Sequence, residues 1–139
     1  MFSRIATASI VLTLLASGAA LAAALTAGTK VTLHSTNRGK VLATSTGRTL
    51  YLSTSDTTNH SNCTGSCASA WPPLMTKGKP VAGMGVHQAL LGTAKRGTKL
   101  QVSYKGHPLY TWSGDTKAGQ ATGEGVNGFF VVSAAGKKK

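Results

Sequence analysis

The sequence predicts a mainly β fold: a small antiparallel sheet or sandwich of about six or seven strands, with one short helix after the first cysteine. Three observations lead to this prediction. Short runs of alternating apolar and polar residues recur along the chain, 17 glycines interrupt them, and helical periodicity is nearly absent. So many glycines favour tight turns between short strands.

The first 22 residues are predicted to be a secretory signal peptide. Arg4 supplies a positive charge, residues 5–15 are apolar, and small residues lead to an A-x-A cleavage site at 20–22. An uncleaved anchor is the alternative, but the strongly apolar part is shorter than the roughly 20 residues of a spanning helix. After cleavage we expect no stable insertion in a membrane. A lead-in and first strand should occupy residues 23–38.

Two hairpins account for four of the predicted strands. In each hairpin, two alternating runs flank a turn that contains glycine. The runs and turns, in chain order, are 40–44 and 49–53 around Gly47, then 99–104 and 109–112 around 105–108. A strand at 31–34 precedes the hairpins, and a closing strand at 129–133, apolar on both faces, follows them.

A helix of one or two turns is predicted over residues 64–71. Thr64 offers a capping hydroxyl at its start. Pro72 and Pro73 end it, because proline has no backbone N–H to donate and the residue before a proline avoids helical angles. Trp71 should pack this helix against the sheet, since aromatic residues in so small a domain are more often core than ligand platform. The residues from Met75 to Gly85 are predicted to be a loop.

Ten residues around the first hairpin turn align without gaps on ten around the second. Residues 47–56 match 106–115, and the coinciding positions are Gly47 with Gly106, Leu50 with Leu109, Tyr51 with Tyr110 and Asp56 with Asp115. We interpret this as an internal duplication with units of about 39–74 and 86–136. The two copies should pair into one sheet or sandwich with rough two-fold symmetry.

Cys63 and Cys67 are the only cysteines of the chain. In an oxidising compartment, a pair this close most simply forms a disulfide, and then no cofactor is expected. The alternative is a periplasmic copper-binding or redox site, because thiolates select Cu(I). His60 would complete such a site, with Met75 or Met84 beyond it.

The chain is strongly basic, with 15 Lys+Arg, three acidic residues and a formal charge of +12, or +11 once Arg4 is removed. Such a surface attracts anionic polymers, so envelope polymers or lipid head groups are the predicted partners. Nucleic acid is disfavoured, because the scattered basic residues indicate no groove-reading helix or aromatic RNA platform. Residues 137–139 form a basic tail.

No set of residues in the sequence indicates a catalytic site, so we expect no enzymatic activity. Asp56 and Asp115 invite a paired-carboxylate interpretation, but an aspartate at the end of a strand commonly accepts backbone donors in a turn. The four histidines show no spacing to a carboxylate that suggests a dyad, and no nucleophile elbow is present.

From about Gly39 to Gly136 the chain resembles a bacterial family of secreted repeats of unknown function, predicted lipoproteins marked by a Tyr-x-aromatic-x-x-Asp motif. The resemblance is carried by Gly-Arg-Thr-Leu-Tyr at 47–51 with Asp56, the stretch from Cys63 to Leu74 with Trp71-Pro72-Pro73, residues 106–115 and residues 129–133. It implies export and a small β-rich module, and little about chemistry.

This sequence departs from the family pattern in three ways, one of which is the added lysine tail at residues 137–139. Ser53 replaces the aromatic residue of the first motif, so only Tyr110-x-Trp112-x-x-Asp115 is complete. No cysteine precedes Cys63 to carry a lipid, which favours a periplasmic or secreted form without a lipid anchor. The sequence thus predicts a non-enzymatic envelope or secreted binding module, with the copper or redox protein as the alternative.

Overall fold

The computed structural model describes residues 28–139, so the predicted signal peptide lies outside the described part of the chain. The strands in this part are β1 Lys30–Thr36, β2 Gly39–Thr44, β3 Tyr51–Ser53, β4 Met75–Thr76, β5 Val81–Ala82, β6 Leu91–Arg96, β7 Lys99–Tyr104, β8 His107–Pro108 and β9 Phe129–Val131. The α-helix is α1 Ser66–Ala70, and 3₁₀ turns span Gln88–Leu90 and Val126–Gly128. The prediction of a mainly β fold with one short helix is confirmed.

The strands form three small sheets. Their orders are β2-β1-β5, β3-β9 and β4-β7-β6, with β8 pairing on the end of β7. All neighbours are antiparallel except β1 and β5. No helix within residues 28–139 has the length and apolar character needed to cross a membrane.

The first predicted hairpin is correct at its turn and incomplete along its strands. β2 touches the following run only at the Ala43–Thr49 bridge beside Gly47, and pairs over its length with β1. Residues 51–53 leave this hairpin and pair with β9. In the second hairpin, residues 107–108, predicted as part of the turn, form β8, and residues 109–112, predicted as a strand, contribute only isolated bridges at Tyr110. β7 pairs mainly with β6, and its hairpin with β8 includes only two residue pairs. Alternation predicts which residues form strands, but it does not identify their partners.

Two further expectations need correction. The helix begins after Gly65, which occupies the N-cap with φ 59° and makes no side-chain cap, so Thr64 does not cap it. Glycine fits there because a positive φ costs it little. The stretch 75–85, predicted as a loop, contains β4 and β5, each of two residues.

The core consists of two clusters, one on each side of the Leu-Tyr dipeptides. Leu50 and Leu109 lie in one cluster, whereas Tyr51 and Tyr110 lie in the other with Trp71. Consecutive side chains of an extended chain point to opposite sides, so each dipeptide contributes to both clusters. This explains why the two residues recur together in the duplication.

The backbone hydrogen bonds of one repeat are reproduced in the other. The Leu42 amide donates to the Val132 carbonyl at 2.8 Å, as the Val102 amide does to the Leu74 carbonyl at 2.7 Å. The two repeats also bond each other directly. The Tyr51 amide donates to the Tyr110 carbonyl at 2.8 Å, and the Tyr110 amide donates to the Tyr51 carbonyl at 3.0 Å. The two copies therefore pair directly at their tyrosines, as the predicted two-fold arrangement requires.

Candidate functional site

The tyrosine and aspartate of the repeated motif bond across the two repeats. The Tyr51 hydroxyl donates to Oδ2 of Asp115 at 2.6 Å, and the Tyr110 hydroxyl donates to Oδ2 of Asp56 at 2.6 Å. Each aspartate therefore holds the tyrosine of the other copy. We call these two contacts the exchanged pairs.

The second oxygen of each aspartate closes a loop of its own repeat. Oδ1 of Asp115 accepts the Thr122 amide at 2.9 Å and the Thr122 hydroxyl at 2.6 Å, and Oδ1 of Asp56 accepts the Asn62 amide at 2.8 Å. The expectation that these aspartates accept backbone donors is confirmed. The donors lie six and seven residues downstream, however, which is farther than an Asx-turn reaches.

Burial keeps the two exchanged tyrosines protonated. Both side chains are fully buried. Desolvation, with the hydrogen bond to a carboxylate as the next cause, raises the pKa of Tyr51 and of Tyr110 well above the ordinary tyrosine value. The phenols are therefore lasting donors to the aspartates. His107 behaves differently, since burial and the neighbouring Lys105 lower its pKa.

We expect the free energy of unfolding to fall as the pH rises above about 10, the ordinary pKa of tyrosine. The unfolded chain releases the protons of Tyr51 and Tyr110 there, whereas the folded chain retains them to higher pH. The unfolded state then binds fewer protons, so stability is complete below pH about 10 and declines above it. Urea unfolding at a series of pH values between 8 and 12 measures this decline. The Tyr110→Phe variant should decline less steeply, and identical profiles for the two proteins would contradict the assignment.

Aromatic rings from both repeats stack beside the exchanged pairs. Trp71 and Phe129 lie face to face, with centroids 3.9 Å apart and planes at 4°. Tyr51 meets Trp71 edge-on at 5.2 Å, and Tyr110 meets Phe129 edge-on at 5.3 Å. The two edge-on contacts have the geometry that aromatic pairs favour. Trp71 therefore belongs to the core, as predicted. The ring of Trp112 lies beside it, with the two ring centroids 4.2 Å apart, and Trp112 is half-buried.

The two prolines hold the chain after the helix against the second repeat. The Pro72 carbonyl accepts the Thr111 amide at 2.9 Å, and Pro73 forms a bridge with Tyr110. Neither contact needs a proline N–H. Pro73 occupies the place beside Tyr110 that Val131 occupies beside Tyr51.

Cys63 and Cys67 form the predicted disulfide, with Cα atoms 5.3 Å apart. Cys63 is buried and Cys67 half-buried. Arg96 ties this segment to the exchanged pairs, because its guanidinium donates to the Cys63 carbonyl at 2.9 Å and to the Ser61 hydroxyl at 2.7 Å. Ser61 in turn bonds the Tyr110 hydroxyl.

The copper alternative would require reduction of this disulfide. His60 is exposed, and its amide bonds the Thr57 carbonyl at 3.0 Å. Within residues 28–139, no three His, Cys, Asp or Glu side chains are grouped closely enough to hold a metal ion. The structure therefore does not bring together the set His60, Cys63 and Cys67 as ligands.

Reasoning from the sequence missed Arg96 and Thr122, and it placed Phe129 in the closing strand without pairing it with Trp71. For Phe129 a signal was present. It follows Trp71 by 58 residues, close to the 59-residue offset of the aligned motifs, so the repeat itself places an aromatic residue opposite Trp71. Arg96 carries no such signal, because its contacts with Ser61 and Cys63 join positions 35 and 33 residues apart. Thr122 bonds Asp115 only seven residues away, but a single threonine in this glycine-rich stretch does not stand out in the sequence.

The comparisons with known proteins agree with the duplicated geometry. The family model described as secreted repeat of unknown function matches residues 32–75 and 91–132. The first stretch contains Tyr51, Asp56 and Trp71, and the second contains Tyr110, Asp115 and Phe129. Neither the curated proteins nor the solved structures contain a significant match. The chain therefore belongs to the family of secreted repeats of unknown function and carries two copies of its repeat.

Proposed function

We propose that this protein is a non-enzymatic, extracytoplasmic binding module whose basic surface holds anionic polymers of the cell envelope. The family is described as secreted. The Cys63–Cys67 disulfide suits an oxidising compartment, since such bonds persist outside the cytoplasm. Both observations support a place in the periplasm or outside the cell.

The observation that carries the proposal is the difference in exposure between the basic and the acidic side chains. Every lysine from Lys30 to Lys139 is exposed, and so is Arg38. The three carboxylates instead accept hydrogen bonds within the fold. Asp56 and Asp115 hold the exchanged pairs, and Oε2 of Glu124 accepts the Val131 amide at 2.7 Å. The positive surface is therefore largely uncompensated, which favours association with polyanions.

The same arrangement supports a role without catalysis. Acid–base chemistry needs a carboxylate or imidazole within reach of a substrate proton. Asp115 is buried at 3% exposure, and both oxygens of Asp56 already accept hydrogen bonds. We therefore assign these aspartates a structural role, and we propose that the exposed lysines bind the partner.

The exported protein should bind to phosphocellulose at low ionic strength and elute as salt is added. Contacts between exposed charges weaken because the screening length falls from about 10 Å at 0.1 M salt to about 3 Å at 1 M. Uncharged cellulose is the control matrix. Failure to bind at low salt, or binding that persists in 1 M salt, would show that electrostatic attraction is not the basis of the interaction.

Anionic lipid head groups carry a similar charge, so binding to lipid vesicles is compared with binding to phosphocellulose. Vesicles with about one third anionic lipid are sedimented with the protein at the same low salt. Recovery with the vesicles, without retention on phosphocellulose, would assign the surface to membranes and overturn the polymer proposal. Retention on phosphocellulose that exceeds vesicle recovery would support it.

A further inference from the structure

The C-terminal lysines form part of the folded surface. The Lys137 carbonyl accepts the Ser133 amide at 2.9 Å, and the Lys139 amide donates to the Val131 carbonyl at 3.0 Å. Lys138 forms a bridge with Val132, and its ammonium group lies 4.7 Å from the centre of the Phe130 ring. Such a cation–π contact restrains a lysine side chain. The sequence had indicated only a basic tail.

A turn from the second repeat brings another lysine to the same place. Lys105 and Gly106 form the turn between β7 and β8, with φ of 49° and 80°. Gly136 packs against the Lys105 side chain so closely that a Cβ at residue 136 would lie 2.7 Å from the Lys105 Cβ. Glycine at 136 therefore allows two segments, 31 residues apart, to place their lysines side by side.

These residues surround an open groove of about 440 Å³, which we call the lysine groove. Its lining includes Lys105, Lys137, Lys138, His107, Ser53 and Asp56. Asp56 is the acidic residue of this lining, and both of its oxygens accept hydrogen bonds from Tyr110 and Asn62. The groove is thus mainly cationic, and its volume lies within the range of sites that hold small ligands.

We infer that the lysine groove holds the anionic polymer through its phosphate diester groups. The inference rests on the proposed function and names its site and ligand class. Lysine ammonium groups bind phosphate as compact point charges that need no planar, forked geometry, so lysines from different segments can each approach one phosphate oxygen. The groove lining contains three lysines and no arginine. A phosphate diester offers two unesterified oxygens, so neighbouring lysines can each bond one.

The test compares two triple variants that lose the same charge. The groove variant is Lys105→Asn with Lys137→Gln and Lys138→Gln, since asparagine tolerates the positive φ of residue 105. The control variant is Lys77→Gln, Lys95→Gln and Lys99→Gln, three exposed lysines of which the first and last line a separate groove of about 620 Å³. The control variant should keep the urea midpoint of the natural protein, because its three positions are exposed. The groove variant should lose no more than about 1 kcal/mol of unfolding free energy, the contribution expected of the exposed Lys138–Phe130 contact.

Binding of short poly(glycerol phosphate) is measured by titration, with polyglutamate of equal charge as the carboxylate comparison. The groove variant should lose about tenfold or more in affinity, from three exposed charge contacts. Its salt slope should fall by about 2–3, as expected for three lost phosphate contacts. The control variant should lose less than about threefold.

The outcomes distinguish a failure of the lysine groove from a failure of the proposed function. Equal losses in both variants would overturn the groove and leave the proposed function standing. Equal affinity of the natural protein for polyglutamate would overturn the phosphate class. No binding of either polymer by the natural protein would overturn the proposed function itself.

Discussion

Asp115→Ala is expected to lower the free energy of unfolding by about 3 kcal/mol or more. The Asp115 carboxylate is 3% exposed and accepts three hydrogen bonds, from the Tyr51 hydroxyl and from the amide and hydroxyl of Thr122. The buried Tyr51 hydroxyl would lose its acceptor at a cost of about 1–3 kcal/mol, and the two hydrogen bonds from the exposed Thr122 contribute about 1 kcal/mol each. Urea unfolding followed by tryptophan fluorescence measures the change.

The equivalent residue of the first repeat provides the matched control. Asp56 is half-buried, so water can reach the groups that Asp56→Ala would expose, and the loss should be clearly smaller. A double-mutant cycle then tests the exchange itself. Tyr51→Phe should couple to Asp115→Ala and act additively with Asp56→Ala. The reverse pattern, or an Asp115→Ala protein within about 0.5 kcal/mol of the natural one, would contradict the exchanged pairs.

Trp71→Ala should cost about 3–5 kcal/mol of unfolding free energy, the range for removing a buried aromatic side chain. Trp71 is 1% exposed and contacts the rings of Phe129, Tyr51 and Trp112. Collapse into the cavity is limited, because the exchanged pairs and the disulfide hold the surrounding backbone. The urea midpoint and its slope together give the free energy.

Two further variants make this prediction specific. Trp112→Ala removes a half-buried ring of equal size and should cost distinctly less. Trp71→Phe should retain most of the stability, since it keeps a ring for the stack and removes an indole N–H that has no hydrogen-bond partner among the described residues. If the alanine variants at residues 71 and 112 proved equally stable, the stack would not be the centre of the core.

Much of the fold could be predicted because its signals are local. Alternation indicated the strands, glycine the turns at 47 and 106, and the close cysteines the disulfide. β6 was missed, because Gly92-Thr93-Ala94-Lys95 offers few of the large apolar side chains that mark a strand. Its strand character comes from six residue pairs with β7, which are tertiary contacts.

The site was harder to predict, because its geometry depends on which copy supplies each partner. The alignment of 47–56 with 106–115 matched Tyr51 with Tyr110 and Asp56 with Asp115. It did not indicate that Tyr51 would bond Asp115 in preference to Asp56, five residues away in its own repeat. That choice follows from the antiparallel pairing of Tyr51 with Tyr110, which sends the two chains in opposite directions.

The exchanged pairs also affect how readily the two repeats can open separately. Neither half is self-sufficient, since a lone repeat would retain a phenol without its acceptor and a carboxylate without one of its donors. Loosening one half therefore withdraws support from the other, which links them into one cooperative unit despite the small size of each sheet. For a protein that we propose to work outside the cytoplasm, such mutual dependence should leave few partly opened forms for proteases to attack.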